Sequence, residues 1–404
     1  MIDRFAIASL AAMYAFFPLY GTFTAFAPHP PTAPLVSRGI AIGIAAVLLL
    51  AMIGVVVGAV RRRRERPPAF RIWLWANVGA TYLGAVLGFD PPVGIGLATV
   101  IGGMVAAHFT LLGYYRERGT APAVYLALLG SGLAASLVAI AFIVLKRPAD
   151  LYAFNHGRAV GPFLNPNEFA EYLLVYLGAA AGLAMVKRGS GIGAFATLCT
   201  IVGGVAFALT FSRWGLVAAG IGIAAFAIAV RPRRGLGIAA GTFAAALALN
   251  VGLAATHHEP QDTFSRSVAW QAGLATWLHF PLTGVGPLAF ERLYPVMRAP
   301  DAPGPNTPIA FDPHDLPLSI LAETGLVGLA AFVVSLGTFL VRLPALARGA
   351  PAEHRTLAFS LFAGVVAVAV HMLLNSASIA FGLFIQFTAL AFAAATWGFE
   401  GHAA

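Results

Sequence analysis

Residues 40–60 read IAIGIAAVLLLAMIGVVVGAV, an unbroken apolar run that ends against four consecutive arginines, Arg61, Arg62, Arg63 and Arg64. The run exceeds the roughly 18 apolar residues that mark a membrane-spanning helix, whereas a barrel strand would alternate over about 10 positions. In lipid every backbone N–H and C=O needs an internal partner, so only a helix bundle or a closed barrel can span, and this stretch decides for the bundle. Composition agrees: of 404 residues 59% are hydrophobic and 10% charged, with a mean hydropathy of +0.83, against about 25% charged residues in a soluble domain. The 44 Gly and 26 Pro are scattered through the apolar runs without a period, which excludes collagen-like and disordered chains.

Working outward, comparable runs predict an all-α polytopic membrane protein with about twelve transmembrane helices. They lie near residues 5–26, 39–60, 70–89, 93–115, 121–145, 168–186, 191–211, 215–230, 235–255, 317–341, 356–374 and 377–397. Residues 1–255 then hold helices one to nine, 256–316 a large helical loop domain, and 317–404 helices ten to twelve. The first run, with Arg4 before it and Ala25-Phe26-Ala27 after it, imitates a signal peptide, but it is long for one and Pro28 would follow the cut. It reads as an anchor. The single cysteine, Cys199, lies in an apolar run, so neither an internal disulfide nor a thiolate cluster is available.

A net charge of +9 would point to nucleic acid in a soluble protein; in a membrane protein it sets orientation. With the N-terminus inside, the inner loops hold 17 of the 25 lysines and arginines and five of the 16 acidic residues. That places +12 of formal charge inside and −3 outside. The bias obeys the positive-inside rule at every short inner loop, so the inner basic residues are explained by topology and by contact with anionic membrane lipids. No nucleic-acid partner is expected.

Two connections long enough for chemistry remain, both on the outer side: residues 146–167 and 256–316. Arg213, in Phe211-Ser212-Arg213-Trp214-Gly215, interrupts a nearly continuous apolar stretch; such a guanidinium either meets an anion or snorkels to the interface with Trp214. Arg266 opens an amphipathic segment over residues 266–278, where it binds an anion or pairs with Asp262. His314 lies in Asp312-Pro313-His314-Asp315, at the membrane surface and beside carboxylates, suited to orienting or deprotonating a hydroxyl near neutral pH. Arg158 precedes Asn165-Pro166-Asn167-Glu168, which reads as a helix start with Asn167 as N-cap. His257 and His258 with Glu259 and Asp262 match no metal-site spacing, and no nucleotide, P-loop or serine-hydrolase motif is present. Arginines at helix mouths suit a diphosphate lipid, because guanidinium offers phosphate a planar, permanently charged fork.

The ordered set Arg158…Gly161-Pro162-Phe163-Leu164-Asn165-Pro166-Asn167, Ser212-Arg213, Arg266…Trp270…Pro281-Leu282-Thr283-Gly284-Val285-Gly286, His314-Asp315 and Glu323-Thr324-Gly325-Leu326-Val327-Gly328 resembles the bacterial O-antigen ligase and O-antigen polymerase superfamily. The likeness spans about residues 150–335. It implies a GT-C-like, metal- and nucleotide-free inverting glycosyltransferase of the inner membrane, without cofactor, working at the periplasmic face; the charge bias and the even span count put both termini in the cytoplasm. The implied donor is an undecaprenyl-diphosphate-linked O-antigen, and the acceptor of a ligase is the lipid A–core oligosaccharide. Carried over residue by residue, Arg213 and Arg266 hold the diphosphate and His314 serves as base or acceptor orienter. Arg158, Asn167 and Asp315 are expected as further donor or acceptor contacts; Asp315 replaces the Asn that many relatives have there. A compact chain with one dominant periplasmic loop favours the ligase over a polymerase or a protein O-oligosaccharyltransferase. A secondary transporter would instead want intramembrane charges and broken helices, for which His371 and Asn375 are slender hints, better read as helix–helix hydrogen bonding.

Overall fold

The computed structural model describes residues 2–16, 70–110, 112–116, 119–163, 165–231, 266–298, 313–374 and 380–400, with isolated positions between them. Among the described residues the structure is helical, with no strand. The helices are α1 (Ile2–Phe16), α2 (Phe70–Leu87), α3 (Pro91–Val105), α4 (Thr120–Leu145), α5 (Ala149–Phe154), α6 (Pro166–Val186), α7 (Gly191–Leu209), α8 (Arg213–Val230), α9 (Arg266–His279), α10 (Phe290–Met297), α11 (Leu316–Gly349), α12 (Ala352–His371) and α13 (Ala380–Trp397).

Among the described residues seven stretches are long and apolar enough to cross a membrane: Pro91–Arg116, which continues α3 through a π turn and a 3-10 turn, and α4, α6, α7, α8, α11 and α12. Two shorter apolar helices, Arg4–Phe16 and Phe381–Trp397, stand where the first and last of the twelve expected spans fall. The expected span at 70–89 is helical as α2, but Arg71 and Asn77 lower its apolarity. The spans expected at 39–60 and 235–255 lie outside the described residues, isolated positions apart.

The helix starts follow from local chemistry. Ser190, Ser212 and Asp315 each turn a side-chain oxygen onto an amide of the first turn, at Gly193, Gly215 and Leu318, and so satisfy a donor the helix cannot. The start of α6 corrects the sequence reading. Asn165, not Asn167, is its N-cap, accepting from the amides of Asn167 (2.8 Å) and Glu168 (3.4 Å). The physical reason is Pro166: a residue before proline is held extended, as Asn165 is at φ −127° and ψ 125°, while proline itself suits the first helical position. That leaves the Asn167 side chain for other partners.

Helix α12 packs against α6, α8 and α13. Its antiparallel register with α6 is explicit: His371 meets Glu171, Ser360 Oγ donates to the Gly178 carbonyl at 2.7 Å, and Glu353 lies 3.0 Å from Lys187. Small residues permit the approach. A Cβ on Gly178 would stand 2.7 Å from the Ser360 carbonyl oxygen, and one on Gly364 would stand 2.9 Å from Val175 Cα. Membrane helices associate through such van der Waals contact, since lipid offers no hydrophobic drive between them. Elsewhere the core is aromatic, with Phe339 of α11 facing Phe70 of α2 and Phe384 of α13 at centroid distances of 6.2 and 5.8 Å.

Helix α11 is broken at Gly325, whose φ of 65° and ψ of −165° leave the helical region. The turn after α9 fills the break. Val285 and Gly286 amides donate to the Ala322 and Glu323 carbonyls, both at 3.0 Å, while Leu326 and Val327 donate to Pro281 and Leu282 at 2.9 and 3.3 Å. Backbone groups freed by a broken helix in lipid are thereby satisfied by another backbone segment. Two of the motifs read in the sequence, residues 281–286 and 323–328, are therefore the two halves of one joint.

Candidate active site

The α7–α8 turn carries Arg213. Thr210, Phe211 and Ser212 alone connect the helices, and Phe211 sits at φ 48°, a left-handed backbone that a bulky residue adopts only under constraint. The constraint comes from several elements. Arg158 donates from Nε to the Thr210 carbonyl and from Nη2 to Asn167 Oδ1, both at 2.9 Å. The Ala159 amide donates to the Leu209 carbonyl at 2.8 Å. Ser212 Oγ donates to Asn167 Oδ1 at 3.1 Å, accepts from the Gly215 amide at 3.2 Å, and lies 3.3 Å from His371 Nε2.

Behind Ser212, His371 Nδ1 meets Glu171 Oε1 at 2.9 Å, with the two side chains 1% and 0% exposed. The order Glu171, His371, Ser212, Asn167, Arg158 is thus one hydrogen-bonded chain from the interior of α6 and α12 to the 155–160 segment. His371 bonds between helices, as the sequence reading had it. Glu171 is absent from the residues that the sequence singles out, and Ser212 enters them only as the neighbour of Arg213. Glu171 carried a signal, an ionisable residue in the second turn of an apolar span, but a partner 200 positions away is not legible from spacing.

His314 and Asp315 stand where α11 begins. Asp315 caps the helix, accepting from the Leu318 amide at 2.8 Å, while its carbonyl accepts from Ser319 Oγ at 2.8 Å. Burial pushes its carboxyl above the usual 3.8, partly offset by the Leu318 amide. His314 has a left-handed φ of 54°. Pro313 and Leu318 lie against Gly273 of α9, where a Cβ would come within 3.0 Å of either side chain. Helix α9, which opens with Arg266, is packed on α10 and α11 through Ala269, Ala272, Phe290, Tyr294 and Ala322. Arg292 of α10 further pairs with Asp90, the N-cap of α3.

Arg213, Arg266 and His314 occupy three separate elements, each at the start of a helix: the first residues of α8 and α9, and the residue before the cap of α11. Arg158 and Asn167 are brought together with Ser212, next to Arg213. The helix expected over 266–278 is present as α9, whereas the Pro-rich residues 299–308 and His257, His258, Glu259 and Asp262 lie outside the described residues. Among the described residues no three of His, Cys, Asp and Glu gather as a metal-ligand group.

Fold and sites together define a polytopic helical membrane protein with an arginine mounted on a braced interhelical turn. Residues 197–333, about a third of the chain, match the family model described as O-antigen ligase, with Arg213, Arg266, His314 and both halves of the Gly325 joint inside the match. That match supports the resemblance to the O-antigen ligase and O-antigen polymerase superfamily, whose members are glycosyltransferase-like enzymes acting on polyprenyl-linked glycans. Arg158, Asn167, Glu171 and His371 fall outside the matched residues. No curated protein matches the chain.

Proposed function

We propose that the chain is an O-antigen ligase: a metal-independent, inverting glycosyltransferase that moves O-antigen glycan from undecaprenyl diphosphate to a sugar hydroxyl of lipid A–core. The observation that carries this reading is the placement of Arg213, Arg266 and His314 at three helix starts within the family match. A guanidinium at a helix N-terminus opposes the helix dipole at a cost of about 0.3–1 kcal/mol. Bound diphosphate reverses that sign, because it meets arginine and the amide end of the helix together.

In the proposed reaction the acceptor oxygen attacks the anomeric carbon from the face opposite the diphosphate. The new C–O bond forms as the bond to the diphosphate oxygen breaks, and the electron pair leaves on the diphosphate. Arg213 and Arg266 stabilise that charge, and His314 takes the acceptor proton. Transfer occurs at the periplasmic face of the bacterial inner membrane, in a twelve-span, GT-C-like layout with cytoplasmic termini, and the lipid tail of the donor lies between spans.

The Glu171–His371 pair and the break in α11 are features a transporter would share. Here the pair is bonded to protein groups and the break is filled by backbone, so both support a fixed site. Deleting the gene tests the reading. Loss of the O-antigen ladder from lipopolysaccharide with accumulation of undecaprenyl-linked polymer is the expected result; a single capped repeat would assign a polymerase instead, and an unchanged ladder would reject both.

A further inference from the structure

The proposed transfer leaves the buried pair Glu171–His371 without a role. We propose that both are positioning residues, which hold Arg213 in place for the donor diphosphate by way of Ser212; this rests on the reading of Arg213 as a diphosphate ligand.

Proton accounting gives the chain of bonds a direction. Arginine offers only donors, so the Asn167 atom that meets Arg158 Nη2 at 2.9 Å is the carbonyl oxygen, and the amide orientation is fixed. Ser212 must then donate its own proton to that oxygen. Its lone pairs accept from the Gly215 amide and from His371, which makes His371 Nε2 a donor. One further proton is shared between Nδ1 and Glu171 Oε1, so the carboxyl group sets which way the imidazole faces. Glu171 thereby orients His371, His371 orients Ser212, and Ser212 is the N-cap immediately before Arg213.

Packing does not require the pair. Close contact of α6 with α12 is already made by Gly178, Gly364 and Ser360 farther along the helices. Replacing a buried ionisable pair by apolar residues of similar volume is often neutral or stabilising, so stability is a weak reason to bury one. The turn does need a constraint: Phe211 holds a left-handed backbone directly before Ser212, and strained backbone persists only where its surroundings over-determine it. Releasing one brace lets the first turn of α8 settle elsewhere. Electrostatic clamps tolerate displacements of only about 0.5 Å.

The test uses the full-length protein in lipid nanodiscs with undecaprenyl diphosphate as probe. Glu171→Leu combined with His371→Leu removes the buried ionisable pair together with the His371 donor to Ser212; it should melt near wild type yet bind the probe about tenfold more weakly. Ser212→Ala should show the same loss and Ser212→Thr should restore binding, which keeps the proposal testable should the leucine pair not accumulate. In an Arg213→Ala background the leucine pair should add nothing further. Wild-type binding by the leucine pair or by Ser212→Ala, or an equal loss with and without Arg213, overturns the positioning role. Wild-type binding by Arg213→Ala alone overturns the clamp reading itself.

Discussion

The amide of Val285 donates to the carbonyl of Ala322 across 3.0 Å, and this bond begins the joint that seals the break in α11. Glycine is required on both sides of it. Gly284 and Gly325 have φ of 67° and 65°, and a Cβ on either would collide with backbone of the other segment. A left-handed backbone costs a non-glycine residue about 1–2 kcal/mol, and the collision adds to that because backbone cannot rotate away. Gly284→Ala and Gly325→Ala are each expected to lower the melting temperature in detergent by several degrees. Gly204→Ala is the control: a Cβ there meets nothing within 4 Å, so it should melt at or slightly above wild type.

Asp315 separates a capping role from a proton-relay role. Its carboxylate caps α11 through the Leu318 amide, a contact Asn can reproduce and Ala cannot. Asp315→Asn should therefore retain transfer, whereas Asp315→Ala should lose about 1 kcal/mol of stability. The raised carboxyl fixes the sign of a pH effect. A group that binds its proton more tightly when folded contributes stability below its unfolded value of 3.8 and loses it as pH rises through the higher folded value. Wild type should thus lose stability relative to Asp315→Asn as pH rises through that window. Loss of transfer in a well-folded Asp315→Asn protein would make Asp315 a relay.

Apolar run length made the helical class legible, and among the described residues seven helices are long and apolar enough to answer to it. Arg213 was legible as a break in hydropathy, and α9 as an amphipathic segment. The cap of α6 was misplaced by two residues because either asparagine of Asn165-Pro166-Asn167 satisfies the propensity rule, and only the geometry imposed by Pro166 chooses between them. The joint at Gly325 was visible as two glycine-bearing motifs but not as a contact, since backbone pairing between segments some 40 residues apart leaves no periodicity. Glu171, Ser212 and His371 come from three helices, so their meeting depends on the register of α6, α8 and α12 and not on any local pattern.

The three site residues should fail in different ways. Arg213→Ala and Arg266→Ala are expected to insert normally and to lose transfer by about 10²–10³, the usual cost of one electrostatic contact to a charged transition state. Lysine should restore only part of it, since an ammonium lacks the planar fork of guanidinium. His314→Ala should lose about 10²–10⁴ while keeping donor affinity, because in the proposed reaction it acts on the acceptor. Steady-state transfer and donor binding measured on the same preparations check each claim, with EDTA in the assay expected to change none of them. A His314→Ala protein that no longer binds donor would move His314 into the clamp.

The two ends of α6 agree with the proposed orientation. Lys187 at one end lies 2.7 Å from Glu400 and 3.0 Å from Glu353. All three residues belong to the inner loops assigned from charge bias, whereas Arg158, Asn167 and Ser212 gather at the other end. The proposed orientation puts Ser190 in the cytoplasm and Asp150 in the periplasm, and both are exposed. The native Cys199 is buried, so background labelling should be low. A membrane-impermeant maleimide applied to spheroplasts should label Asp150→Cys, and should label Ser190→Cys only after permeabilisation. The reverse pattern would place the Arg213 turn on the cytoplasmic side, out of reach of a periplasmic acceptor, and the ligase reading would fall with it.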